Sequence, residues 1–177
     1  MRNEMETFKL TNIIVSGGND NKVLFLGEGN FSFSSSLVKT LAMDHSETSC
    51  DLSNIWTSCY ESDLSKKDIN ERDEVAAEVK RSNVSYLRSR GCHVLEGVDA
   101  EHLEEEPRLS GLSFRRIIFM FPHVGGKMKI HRNRALLLNL ISSCRGLLST
   151  GNRYDKSFKG TNLESLMKHT SHSASWW

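Results

Sequence analysis

Residues 23–42, VLFLGEGNFSFSSSLVKTLA, decide the fold. Four apolar residues run into Gly27-Glu28-Gly29-Asn30, and helical spacing follows through Phe33, Leu37, Val38 and Leu41. A short apolar run stopped by glycine reads as a buried strand, and the spacing beyond it reads as an amphipathic helix. Strand, glycine turn and helix start, in that order, form the unit over which α/β folds seat nucleotide-like ligands.

Working outward, the alternation repeats. LSNIWTSCYES reads as a second strand over residues 53–60, with Glu61 at its end. A polar segment with apolar positions at Val75, Val79, Val84 and Leu87 reads as one or two helices, stopped at Gly91. CHVLEGVDA is a third strand running to Asp99. FRRIIFMFPH is a fourth, halted by Pro122, which cannot donate to a sheet ladder. Arg115, at its start, reads as a solvated strand-edge charge. NRALLLNLISSCRGLL is an apolar helix over residues 131–148. Strand and helix repeated four times predict an α/β fold, a parallel sheet flanked by helices on both faces. Ligands of such folds sit at the carboxyl ends of the strands. Here those ends carry Gly27-Glu28-Gly29, Glu61, Asp99 and Phe121-Pro122-His123.

A chain of 177 residues suits one domain with a sizeable core. We divide it into an N-terminal extension (1–20), an α/β domain (21–150) and a divergent, partly disordered tail (151–177) with a short helix near 162–169. The 23 basic and 22 acidic residues leave a net charge of +1, which gives no strong overall attraction to nucleic acid. A local cluster, Lys127, Lys129, His131, Arg132 and Arg134, suits either RNA phosphates or a solubilising helix start. No apolar run approaches the roughly 18–20 residues of a membrane span, and no cleavable leader is evident, so an intracellular protein is expected. Cys50, Cys59, Cys92 and Cys144 lack metal-ligand spacing and read as reduced, buried thiols.

A helix N-terminus after a glycine turn attracts phosphate. The Lys-Ser/Thr pair of a P-loop is absent, however, and Ser32 replaces the third glycine of a dinucleotide fingerprint. A phosphate-free ligand fits better. Adenosine joined to an amino acid needs close backbone at the turn, a carboxylate for the ribose hydroxyls and an acceptor for the adenine amine. Glu61 and Asp99 stand at strand ends where they supply those acceptors; the plain alternative is that each terminates a strand or caps the next helix. With the glycine turn, S-adenosylmethionine is the favoured cofactor.

FLGEGNFSFSSSL, TSCYES, GVDA and RIIFMFPHVGGK, in this order, resemble the ribosomal RNA uridine-N(3) methyltransferase-like family. That family includes the methyltransferase-like part of ferredoxin-fold anticodon-binding domain-containing proteins. The resemblance covers residues 20–148. It implies a Rossmann-like class I methyltransferase fold, S-adenosyl-L-methionine as cofactor, and a uridine of ribosomal RNA as methyl acceptor, in the nucleolus or cytoplasm. It places Gly27, Glu28, Gly29, Asn30, Phe31 and Ser32 in the cofactor loop. Glu61 stands where the family usually has aspartate, and Asp99 matches the adenine-side acid. Phe121, Pro122 and His123 fall where the substrate base meets the methyl group. Phe121 suits stacking on a splayed base or core packing on the fourth strand, and His123 suits removal of the uridine N3 proton or a structural place after the proline turn.

Two departures bear on activity. Met120 stands where the family motif has asparagine, and a thioether is only a weak acceptor. LLSTGNRYDKSFKGTN replaces the expected fifth strand, which predicts a sheet truncated after the fourth strand and following helix, and an edge open to association. A catalytically inactive binding or interaction module is therefore the alternative. A nicotinamide-dependent oxidoreductase is disfavoured by the missing third glycine.

Overall fold

The computed structural model describes residues 21–43, 51–61, 71–119, 122 and 130–149. The expected tail helix near 162–169, Met120, Phe121, His123, Lys127 and Lys129 lie outside them.

Among the described residues four strands form one parallel sheet: β1 (Val23–Leu26), β2 (Ile55–Cys59), β3 (His93–Glu96) and β4 (Arg116–Phe119). Three helices connect or follow them: α1 (Ser32–Met43), α2 (Glu71–Ser89) and α3 (Ile130–Cys144). The strand order is β3-β2-β1-β4, with every pairing parallel. The chain thus builds outward from β1 through β2 to β3, then returns to the other side of β1. That reversal makes the carboxyl ends of β1 and β4 the switch point of a doubly wound sheet. The α/β fold expected from the sequence is the one observed.

Alternation along β1 divides the core. Val23 and Phe25 pack with Leu37, Val38 and Leu41 of α1 and Val84 and Leu87 of α2. Leu24 and Leu26 point the other way, to Leu140 and Cys144 of α3 and to Leu103, Leu109 and Phe114. Both faces are covered because successive strand residues project to opposite sides. This explains why β1 reads as a continuous apolar run rather than an alternating one.

Several boundaries differ from expectation. The second strand begins only at Ile55, because Asp51 accepts the Ser53 N–H at 3.0 Å and caps a 3-10 turn over Leu52–Asn54. The third strand ends at Glu96, where Gly97 turns the chain at φ 72°, so Asp99 lies in the loop beyond. The segment before Gly91 is one helix, and its buried stripe is Ala77, Lys80, Val84 and Leu87. Val75 and Val79 are instead 67% and 42% exposed. Arg115 is not a free edge charge: its Nη1 donates to the buried Asn21 side chain at 2.6 Å.

Among the described residues the sheet has no fifth strand, and one isolated bridge lies beyond α3. After Cys144 the chain turns and reaches the sheet again, where Leu148 forms a parallel bridge with Phe114 just before β4. Phe114 donates its N–H to the Leu147 carbonyl at 2.7 Å, and Ser149 donates to the Phe114 carbonyl at 3.0 Å. The outer side of β4 is therefore met at its amino end by the chain itself.

Candidate functional site

The glycine turn is held from inside by Glu28. Its carboxylate accepts the Ser34 N–H at 3.0 Å, the Thr57 hydroxyl at 2.8 Å and the Ser34 hydroxyl at short range. Glu28 is only 7% exposed, and Ser34 and Thr57 are fully buried. The two hydroxyls stand 3.0 Å apart, so one carboxylate ties β1, β2 and the first turn of α1 together. A carboxylate near a helix N-terminus also complements the helix dipole.

Asn30 completes the turn. Its side-chain oxygen accepts the Ser32 N–H at 3.1 Å, and its carbonyl accepts from Asn83 of α2 at 2.9 Å. Two N–H groups that an anion would need are thus taken within the protein, and a buried negative charge stands behind them.

The two glycines differ. Gly27 has φ +72°, and a Cβ there would stand 2.1 Å from the Phe119 ring of β4. Its small size serves the packing of β4 against β1. Gly29 lacks a positive φ, and among the described residues nothing lies within 4 Å of where its Cβ would be. The second left-handed residue of the turn is Phe31, at φ 59°, whose ring is wholly buried with α1 and α2. The sequence places both glycines in one role; the structure packs Gly27 under Phe119 and leaves the Cβ position of Gly29 open. Ser32 is exposed at the helix start.

The acids lie along the same rim. Glu61 is exposed, two residues past β2, and its carbonyl accepts from Cys59 Sγ and from Lys80 Nζ, each at 3.0 Å. Asp99 caps its own turn, accepting the Glu101 N–H at 2.9 Å, and its other oxygen meets His102 Nδ1 at 3.2 Å. Asp99 thus neither ends the strand nor caps the next 3-10 helix, whose N-cap is His102; it holds a turn between them, and each oxygen keeps a second lone pair for another donor. Pro122 is half-buried beyond β4. The structure brings Gly29, Glu61 and Asp99 to the carboxyl ends of β1, β2 and β3; Phe121 and His123 are outside the described residues.

Lys80 is the residue that sequence reasoning passed over. It is 5% exposed, and its ammonium bridges Glu96 Oε2 at 3.0 Å and the Glu61 carbonyl. Burial alone would depress its pKa; the Glu96 hydrogen bond and the adjacent Cys59 outweigh this and raise it. Burial likewise pushes the Cys59 thiol up, against the pull of Lys80. The signal was the spacing Ala77-Lys80-Val84-Leu87, which puts a lysine in an apolar helical stripe.

The hydrogen bond that His102 donates to Asp99 raises the His102 pKa above the ordinary value, whereas burial and then Lys22 lower that of His93, which stacks on Trp56. The Asp99–His102 contact therefore adds stability at acidic pH and loses it as pH rises through the raised midpoint. Imidazole NMR titration is expected to place His102 above His93, and Asp99→Asn to lower His102 alone. Coincident midpoints in the parent protein would remove the contact.

Comparison with known proteins follows from this geometry. The family model described as BMT5-like, rRNA (uridine-N3-)-methyltransferase BTM5-like, matches residues 24–176. The match continues through the tail set apart after residue 150. Human ferredoxin-fold anticodon-binding domain-containing protein 1 is 35% identical over 128 residues, covering 72% of this chain and 18% of that protein. The mouse homolog is 34% identical over the same shares. Heavy metal-associated isoprenylated plant protein 41 of Arabidopsis thaliana is 31% identical over 161 residues, 83% of this chain and 28% of its own length. The chain thus spans less than a third of the length of each of these relatives. No solved structure matches it.

Proposed function

This chain belongs to the BMT5-like family, and from that premise we propose that it is an S-adenosylmethionine-dependent methyltransferase domain acting on N3 of a uridine in ribosomal RNA. One observation carries the cofactor assignment: the glycine turn at the switch point has a helix start already filled by Glu28 and Asn30. Those two N–H groups are taken, which counts against a phosphate-bearing nucleotide, whereas a phosphate-free adenosine needs neither of them. The residues present fit that cofactor, which when bound supplies an electrophilic methyl group on sulfur.

The chain's own residues have separate tasks in this reading. Gly29 admits the ligand close to the backbone. The exposed Glu61 carboxylate accepts the ribose hydroxyls, and Asp99 adds the adenine amine to its existing donors. Phe121 stacks on the splayed uracil beside Pro122, and His123 takes the N3 proton, freeing the lone pair for methyl. Binding contributes mainly by holding nucleophile and methyl in line. RNA approaches past the first turn of α3, where His131, Arg132 and Arg134 are exposed. A nucleolar or cytoplasmic site of action follows from an rRNA substrate. Among the described residues no helix is long and apolar enough to cross a membrane.

Calorimetric titration of the folded chain tests the reading. S-Adenosylmethionine and S-adenosylhomocysteine are expected to bind, with ATP and NADH at least tenfold weaker, about 1.4 kcal/mol. Tighter binding of either phosphate-bearing ligand would overturn it.

A further inference from the structure

We propose that Lys80 is a positioning residue for the cofactor site, fixing Glu61 so that its carboxylate meets the ribose; this rests on the cofactor reading above. Lysine is almost never fully buried unless paired. Lys80 is 5% exposed on the inward stripe of α2, between Ala77 and Val84, where a leucine or methionine would satisfy packing alone. What an ammonium adds there is direction. Its donors reach the Glu61 carbonyl at 3.0 Å and Glu96 Oε2 at 3.0 Å, while its nitrogen stands 5.9 Å from the centre of the Phe31 ring.

Those three partners belong to three segments of the rim. Glu61 follows β2, Glu96 ends β3, and Phe31 closes the glycine turn. One side chain from a helix therefore links the loops that the proposed ligand spans. Glu61 depends on it most. Its carboxylate is exposed, and its main-chain carbonyl is the group that the described residues hold. That main chain is held by Lys80 and by the weaker thiol donor of Cys59. Without Lys80, a residue two positions past the strand has little to keep its carboxylate at the ribose.

The test compares S-adenosylhomocysteine with its 2′,3′-dideoxy analogue by calorimetry, on the full chain, with circular dichroism reporting folding. The parent is expected to prefer the ribose form. Lys80→Met is expected to lose about tenfold in affinity for S-adenosylhomocysteine, with less than about a twofold change for the dideoxy analogue. A general structural role would lower both affinities together, and that outcome overturns the proposal. Should Lys80→Met not fold, Lys80→Arg keeps the cation while moving its donors. The same ribose-selective loss, at smaller size, is then expected, and an equal loss for both ligands overturns the proposal. Glu61→Ala separates the two layers of inference. If it leaves the ribose preference intact in a chain that binds S-adenosylhomocysteine, the Lys80 proposal fails while the cofactor reading stands. A folded parent chain that binds neither ligand removes both.

Discussion

Gly27→Ala is expected to lower stability by about 2–5 kcal/mol, the sum of a left-handed backbone penalty of about 1–2 and an overpacking cost of about 1–3. For a chain of this size the thermal midpoint should fall on the order of 10 °C. The two causes can be separated. The φ of +72° penalises any side chain at this position, whatever the surrounding space. The tightest steric contact comes from Phe119, whose Cε2 would stand 2.1 Å from the new methyl. Phe119→Ala in the same chain should therefore relieve the second part and leave the first. The pair should show a coupling of at least about 1 kcal/mol in a double-mutant cycle. Chemical denaturation of the four proteins measures it. Additive effects would mean that the turn does not pack on β4, and an unchanged midpoint in Gly27→Ala would remove the left-handed turn as well.

The same pair of residues shows what was legible in the sequence. The order of strands was, because apolar runs recur four times; the fourfold strand-helix alternation was not, because two 3-10 turns, Leu103–Glu105 and Pro107–Leu109, take the place of a helix between β3 and β4. The switch point was legible too, since a parallel βα series places its ligand at strand ends. What the sequence concealed were contacts between distant residues. Gly27 and Gly29 look equivalent in a GxG motif, yet one faces Phe119, some 90 positions along the chain, and the other faces open space. Phe31 looked like part of a cofactor signature, and its left-handed φ and full burial appear only when α1 and α2 close over it. Lys80 was hidden differently. Its spacing was visible, but a lysine in an apolar stripe becomes informative only when the Glu61 carbonyl and Glu96 are found within 3.0 Å. Boundaries shifted for local reasons, such as the Asp51 cap before β2 and the Gly97 turn after β3.

Glu28 supplies the other large effect. Glu28→Ala is expected to cost about 3–5 kcal/mol, because hydrogen bonds to charged groups contribute about 1.5–3 each and buried donors without acceptors cost about 1–3. The full sum for three donors is not expected. The Ser34 and Thr57 hydroxyls lie 3.0 Å apart and can satisfy one another once the carboxylate is gone, which leaves the Ser34 N–H as the main orphan. Glu28→Gln should cost less, about 1–2 kcal/mol, since its oxygen can keep the Ser34 N–H while the two hydroxyls rotate to accept from its amide. The two variants then part company at the ligand. Removing the negative charge behind the helix start leaves the α1 dipole uncompensated, a change of about 0.3–2 kcal/mol in favour of an anion. Glu28→Gln is therefore expected to keep its affinity for S-adenosylhomocysteine while its discrimination against ADP narrows several-fold. Thermal melts and competition calorimetry read both effects in the same preparations. A parent-like melting temperature for Glu28→Ala would mean that this carboxylate faces the ligand instead of the Ser34–Thr57 pair. Discrimination undiminished in Glu28→Gln would place the exclusion of phosphate elsewhere on the rim.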